Sequence, residues 1–205
     1  MSTAAPRLTR RGAGLRLAAG LTVIGLPVGA VWAWIAPPIH GVVALTRSGE
    51  RVQAYLGSEA ENFFIAPVLL IGLLAAVAVV AAALAWQWRA HRGPGMVLNL
   101  TAGLIGGAAL AVLTGAVLVQ RRYGAIDIEA APVSPEHRVH YVAEGPPVFF
   151  GHTALQIGAS LLLPAATAAL VYGGCAMWST RDDLGGYPPE PPAGLRGGGG
   201  PAPLP

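Results

Sequence analysis

Charge is scarce in this sequence. Asp, Glu, Lys and Arg make up only 11% of its 205 residues, against about 25% in an ordinary soluble domain, which excludes a soluble enzyme of average polar surface. Lysine is absent, and all 13 basic residues are arginines. The lone Cys175 excludes an intrachain disulfide framework and a cysteine-rich zinc site. The pI near 9.5 and net charge of +3 do not point to nucleic acid, because the arginines are scattered between apolar blocks and form no basic face with interleaved aromatics. Nucleophile elbow, P-loop, dinucleotide fingerprint and zinc-protease helix motif are all missing. No catalytic residue, cofactor or metal is therefore expected.

What the sequence has in abundance is apolar length. Hydrophobic residues make up 54% of the chain, and a helix crossing the hydrocarbon core of a bilayer needs about 20 of them in succession. Four blocks meet that length without an Asp, Glu, Lys or Arg, at about 17–36, 63–88, 97–119 and 149–178. The expected fold is an all-α transmembrane four-helix bundle in the lipid bilayer. The first block also has features of a signal peptide: Arg7, Arg10, Arg11 and Arg16 precede it, and Val31-Trp32-Ala33 loosely resembles a cleavage site. Its length, and the tryptophans at its end, favour an uncleaved helix with Trp32 and Trp34 in an interfacial belt, as Trp86, Trp88 and Trp178 close later blocks.

Arginine placement sets the expected orientation. The basic segment 1–16 and the Arg89–Arg92 turn, with Gly93-Pro94-Gly95 reversing the chain, are expected to be cytoplasmic. Arg121 and Arg122 oppose this, but the loops 37–62 and 120–148 hold most of the acids and are expected outside. Both termini are then cytoplasmic, in a multi-pass protein of the cell membrane. The tail 179–205, rich in Pro and Gly, is expected to be disordered. Ser179 and Thr180 in or beside it are candidate phosphate acceptors.

The outer loops carry alternating runs. Val42–Thr46 and Arg51–Leu56 flank a Ser-Gly turn and predict a hairpin, and Ala125–Glu129 and Arg138–Val142 offer two further strands. Isolated hairpins are marginal in water, whereas a sheet of three or four strands is stable. A small extracytoplasmic β-rich cap built by both loops is therefore expected. Ser58-Glu59-Ala60-Glu61 reads as a capping box.

All four phenylalanines lie at two similar loop-to-helix entrances, Glu61 with Phe63 and Phe64, and Glu144 with Phe149 and Phe150. These six residues form the candidate outer surface for a protein or lipid partner. Capping and aromatic anchoring account for the same pattern without a partner. Small residues recur every fourth position in two blocks, at Gly25, Gly29 and Ala33, and at Gly103, Gly107, Ala111 and Gly115. Such rows permit close helix contact, within a bundle or in a homodimer. Pro27, Pro67 and Pro164 fall inside blocks and predict bends.

His40, His137, His140 and His152 lie on the expected outer side, but a strand sends positions three apart to opposite faces, so His137 and His140 do not converge on a metal there.

Three stretches carry a resemblance: Glu59-Ala60-Glu61-Asn62-Phe63-Phe64, the run from Val139 to Thr153 (Val-His-Tyr-Val-Ala-Glu-Gly-Pro-Pro-Val-Phe-Phe-Gly-His-Thr), and Arg181-Asp182-Asp183-Leu184-Gly185. Through them the chain resembles, over roughly residues 15–186, the actinobacterial (mycobacterial-type) integral membrane proteins of the domain of unknown function 2567 family. The resemblance implies membrane residence and transfers no catalytic residue. The expected function is that of a noncatalytic accessory or scaffold protein of the cell envelope. The alternative is a transporter or channel subunit for an apolar or lipidic substrate, and the third reading is an envelope-lipid enzyme using Glu61, Glu144, His140 or His152.

Overall fold

The computed structural model describes residues 10–124 and 127–179. Most of the basic segment, Thr180, the exit Arg181–Gly185, the rest of the tail, and Ala125 and Ile126 lie outside the described residues. Four helices dominate: α1 (Arg10–Ile35), α2 (Asn62–Gln87), α3 (Pro94–Tyr123) and α4 (Ala154–Met177). Each is long and apolar enough to cross a membrane. Three strands accompany them: β1 (Ile39–Leu45), β2 (Arg51–Tyr55) and β3 (Val139–Glu144).

The strands form one antiparallel sheet in the order β2-β1-β3. The first hairpin closes through Thr46, whose N–H donates to the Glu50 carbonyl and whose hydroxyl accepts from the Glu50 N–H. Gly49 takes a φ of +87° that this turn requires. Because β3 comes from the connection between α3 and α4, the two long connections meet in a single sheet at one end of the bundle. Of the expected strand Ala125–Glu129, Ala125 and Ile126 lie outside the described residues, and Asp127–Glu129 form no strand. Asp127 Oδ1 accepts from the backbone N–H groups of Glu129 and Ala130 at 3.0 and 3.1 Å, so the side chain makes a turn there instead of leaving the backbone to a ladder.

The helices pack mainly as α1 on α3 and α2 on α4. The two glycine rows face one another across the first pair. A Cβ at Gly25 would collide with the Gly107 carbonyl, and one at Gly29 with the Ala111 carbonyl. On the other side, Gly103 lies against Ala18, Gly107 against the Leu21 carbonyl, and Gly115 under the Trp32 ring. All five glycines are buried. The rows therefore pack against one another within one chain.

Three local expectations are corrected. The Ser58 hydroxyl makes no capping bond, and Glu59–Glu61 form a 3-10 turn that runs directly into α2. The capping box lies instead at α4, where Thr153 Oγ1 accepts from the Gln156 N–H and Gln156 Oε1 accepts from the Thr153 N–H. That box starts α4 at Ala154, so Phe149 and Phe150 precede the helix instead of opening it. The tryptophans also divide. Trp34, Trp88 and Trp178 are exposed, whereas Trp32 is fully buried and Trp86 packs edge-on against Tyr172.

At the end opposite the sheet, the turn between α2 and α3 is pinned by side chains. Arg92 Nε donates to the Trp86 carbonyl at 2.7 Å while its guanidinium stacks 4.1 Å from the Trp86 ring centroid. The Tyr172 hydroxyl accepts from the Gly93 N–H at 3.3 Å, tying α4 to the same turn.

Candidate functional site

The sheet end gathers most of the sequence-selected residues. Along β1, Ile39, Gly41 and Val43 are buried, while Val42 and Ala44 are half-exposed. Residues directly opposite one another in a ladder share a face. The covered face therefore takes Gln53 and Tyr55 from β2, and His140, Val142 and Glu144 from β3. The open face takes Val42 and Ala44 with Val52 and Ala54 on one side and Val139, Tyr141 and Ala143 on the other. Tyr141 is 72% exposed, Val139 51% and Val52 48%. Apart from His40 at its margin, this open face is built from apolar and aromatic side chains.

On the covered face Glu144 is the polar centre. Its Oε2 accepts from Tyr55 Oη and Gln53 Nε2, each at 3.4 Å, bridging β3 to β2 across β1. Desolvation raises the Tyr55 phenol above its ordinary value, and the Glu144 carboxylate and its hydrogen bond add to the rise. A cavity of about 380 Å³ lies beneath, lined by Gln53 and Glu144 from the sheet, by Val119 and Gln120 near the end of α3, and by the segment 145–148. Gly145 permits this geometry, since a Cβ there would come within 2.5 Å of Val119 Cγ1.

Glu61 is exposed and does not join Glu144. The carboxylate that organises the first entrance is Glu59. It accepts from the His40 N–H at 3.3 Å and from Asn62 Nδ2 at 2.9 Å, and lies 3.3 Å from His40 Nδ1. Asn62 Nδ2 also donates to the Pro38 carbonyl. The aromatics do link the two entrances: Phe64 and Phe150 meet with ring centroids 5.2 Å apart, while Phe63 packs edge-on against Tyr55 at the same distance. Phe149 is half-buried. Sequence reasoning passed over Glu59, Gln53, Tyr55 and the open-face trio of Val52, Val139 and Tyr141. The signal for the trio was the presence of apolar residues at both parities of the strands. An Asn three residues after Glu59 was the signal for that pair.

Among the described residues, no group of three His, Cys, Asp or Glu converges as a metal site. His40 and His140 lie on opposite faces of the sheet, since His40 pairs with Ala143 and His140 with Val43.

Helices long and apolar enough to cross a membrane, with a sheet shared by two of their connections, define the class of this protein. It belongs to the family described as "Protein of unknown function (DUF2567)", whose model matches residues 21–186. It is similar to the uncharacterized protein Rv1591 of Mycobacterium tuberculosis (strain ATCC 25618 / H37Rv) and to the uncharacterized protein Mb1617 of Mycobacterium bovis, each 56% identical over 175 residues, covering 85% of this chain and 91% of the relative. The uncharacterized protein ML1222 of Mycobacterium leprae is also 56% identical, over 167 residues, covering 82% of this chain and 84% of the relative. No solved structure matches the chain.

Proposed function

We propose that this is a noncatalytic accessory protein of the cell envelope, a multi-pass plasma-membrane protein with both termini cytoplasmic, whose sheet is an extracytoplasmic cap that docks an envelope protein. The observation that carries this reading is the open face of the sheet. Val52, Val139 and Tyr141 stand exposed around Val42 and Ala44 with no charge among them, and contiguous exposed apolar surface marks interaction sites. Aromatic residues such as Tyr141 are enriched where partners bind. The arginine-rich turn between α2 and α3 supports the orientation.

The runner-up, a transporter or channel subunit, draws less support. Pro67 and Pro164 are fully buried in packed helix faces, and neither lines the cavity beneath the sheet. An envelope-lipid enzyme is weaker still, because Glu61 is exposed in the turn before α2 while Glu144 bonds to Gln53 and Tyr55 on the sheet.

The test is site-specific photocrosslinking in intact cells, with the probe at Tyr141, at Val52 and, as a control, at the exposed Glu136. A discrete protein adduct from the two open-face positions, absent at Glu136 and abolished by Val139→Asp, is the expected result. Adducts to lipid alone, or identical adducts from all three positions, would reject docking by this face.

A further inference from the structure

The cavity of about 380 Å³ beneath the covered face of the sheet has a chemistry of its own. Its size falls within the range of about 300–1,000 Å³ typical of small-molecule sites. Among the described residues that line it, Glu144 is the charged one, and Gln53 and Gln120 bring side-chain amides. Val119, Pro146, Pro147 and Val148 supply an apolar wall. Polar groups and hydrocarbon are thus both within reach of one small molecule.

The polar groups are mainly acceptors. Both hydrogen bonds to Glu144, from Tyr55 Oη and Gln53 Nε2, fall on Oε2 at 3.4 Å, so Oε1 can still accept from a ligand. Gln53 donates through its Nε2 and keeps its carbonyl oxygen as an acceptor. Gln120 and Gly124 bring the C-terminal end of α3 to the same cavity. At such an end the last carbonyls lack helical donors and the dipole presents its negative pole.

The basic residues nearest in sequence or on the same sheet face, Arg51, Arg121, Arg122 and His140, all lie outside the lining. Among the described residues none of them forms an ion pair with Glu144, whose partners are Tyr55 and Gln53. Arg122 stacks instead on Tyr123, 5.3 Å from the ring centroid. Ala125 and Ile126, which follow Gly124 outside the described residues, carry no charge.

We infer that this cavity is a binding site for a primary ammonium group, held by Glu144 with Gln53 and Gln120, while the short carbon chain that carries it lies against Pro146, Pro147 and Val148. A primary ammonium has three donors and no acceptor, which suits acceptors gathered around one carboxylate. An anionic ligand would meet like charge there. A small free amine and the ethanolamine headgroup of a phospholipid share this chemistry. The site lies on the covered face, so it does not depend on what docks on the open one.

The test uses the full chain purified in detergent at neutral pH, with ethanolamine, choline and 1,2-ethanediol as probes in saturation-transfer NMR titrations. Ethanolamine is expected to bind, and choline, which has no N–H donor, and the uncharged diol to bind about tenfold more weakly or less, the worth of a charge-assisted hydrogen bond. Glu144→Gln is expected to remove that preference. Gln120→Leu, at an exposed position of the lining, is expected to weaken ethanolamine binding about threefold, as for loss of a neutral hydrogen bond. Glu61→Gln, which alters an exposed carboxylate outside the cavity, is expected to leave binding unchanged.

Nanodiscs of equal parts phosphatidylethanolamine and phosphatidylcholine, followed by native mass spectrometry, identify the source. Retention of phosphatidylethanolamine that Glu144→Gln abolishes assigns the headgroup, and its absence beside ethanolamine binding assigns the free amine. Equal binding of ethanolamine and the diol by the unmodified chain overturns the inference, as does an undiminished preference in Glu144→Gln. Should Glu144→Gln not fold by circular dichroism, Gln120→Leu decides, and unaltered ethanolamine binding there overturns it.

Discussion

Trp32 of α1 reaches the carbonyl of Ala66 in α2 with a 2.7 Å hydrogen bond while its ring lies over Gly115 of α3. One fully buried side chain thus fixes three helices at the sheet end of the bundle. The carbonyl has a second lone pair to accept this donor in addition to any helical bond. The indole is accordingly a packing element, unlike the exposed Trp34 two residues later.

This geometry predicts graded losses of stability. Trp32→Phe keeps most of the packing and removes the donor, so the expected cost is about 0.6–1.7 kcal/mol, the range of interhelical hydrogen bonds in a membrane protein. Trp32→Ala leaves a cavity and is expected to cost about 3–5 kcal/mol. Unfolding in sodium dodecyl sulfate, followed by circular dichroism, separates the two. Equal losses would mean that the hydrogen bond carries the whole effect.

The facing glycines predict a position-specific response to added side chains. Gly107→Ala places a Cβ 2.6 Å from the Leu21 carbonyl and Gly103→Ala one 2.7 Å from Ala18 Cα, where backbone atoms must move. Overpacking of this kind is expected to cost about 1–3 kcal/mol. Gly72→Ala, which meets nothing within 4 Å, is expected to be neutral or slightly stabilising because alanine favours helix. The same unfolding titration reads all three, and a uniform response would contradict the face-to-face packing.

Tyr55 gives the fold a pH dependence in the alkaline range. Burial first, then the Glu144 charge and hydrogen bond, raise its phenol above the ordinary value, so the folded state favours the neutral form. The associated stabilisation is complete below the unfolded value of about 10 and is lost as pH rises through the higher folded-state value. Phenolate absorbance of the unmodified chain minus that of Tyr55→Phe is expected to show a midpoint above 10. Glu144→Gln removes the carboxylate charge and is expected to lower that midpoint while the rise from burial remains. A midpoint at or below the ordinary value would contradict the arrangement.

Orientation is open to direct labelling. With Cys175→Ala as background, Ser48→Cys in the exposed hairpin turn is expected to react with a membrane-impermeant maleimide in intact cells. Arg89→Cys in the turn between α2 and α3 is expected to react only after permeabilisation. The reverse pattern would invert the proposed topology and place the sheet inside.

Much of the fold was legible because apolar length leaves little choice in lipid: helices satisfy their own backbone, and each long block became one. Residues near the block ends were less legible. Phe149 and Phe150 extend the hydropathy of the fourth block without extending its helix, since the Thr153-to-Gln156 box decides the start, and that S/T-x-x-Q signature was present in the sequence. Ser58 carried the same kind of signature and makes no such bond, because the chain enters α2 through a 3-10 turn. The pairing of β1 with β3 was only partly readable. Alternation identifies a strand, but it does not say which distant strand lies beside it. The candidate site suffered for the same reason. Glu144 was visible as a residue, while its partners Gln53 and Tyr55 depend on sheet register.

The central position of β1 imposes an order of assembly. Its hairpin mate β2 follows at once, but Ile39 waits for Glu144, which leaves the ribosome only after two more apolar helices have been made. During biogenesis one edge of β1 must therefore remain open, and the sheet closes late, as a latch that fastens once the third helix is in place. A nascent chain stopped before Val139 would leave that edge without its partner.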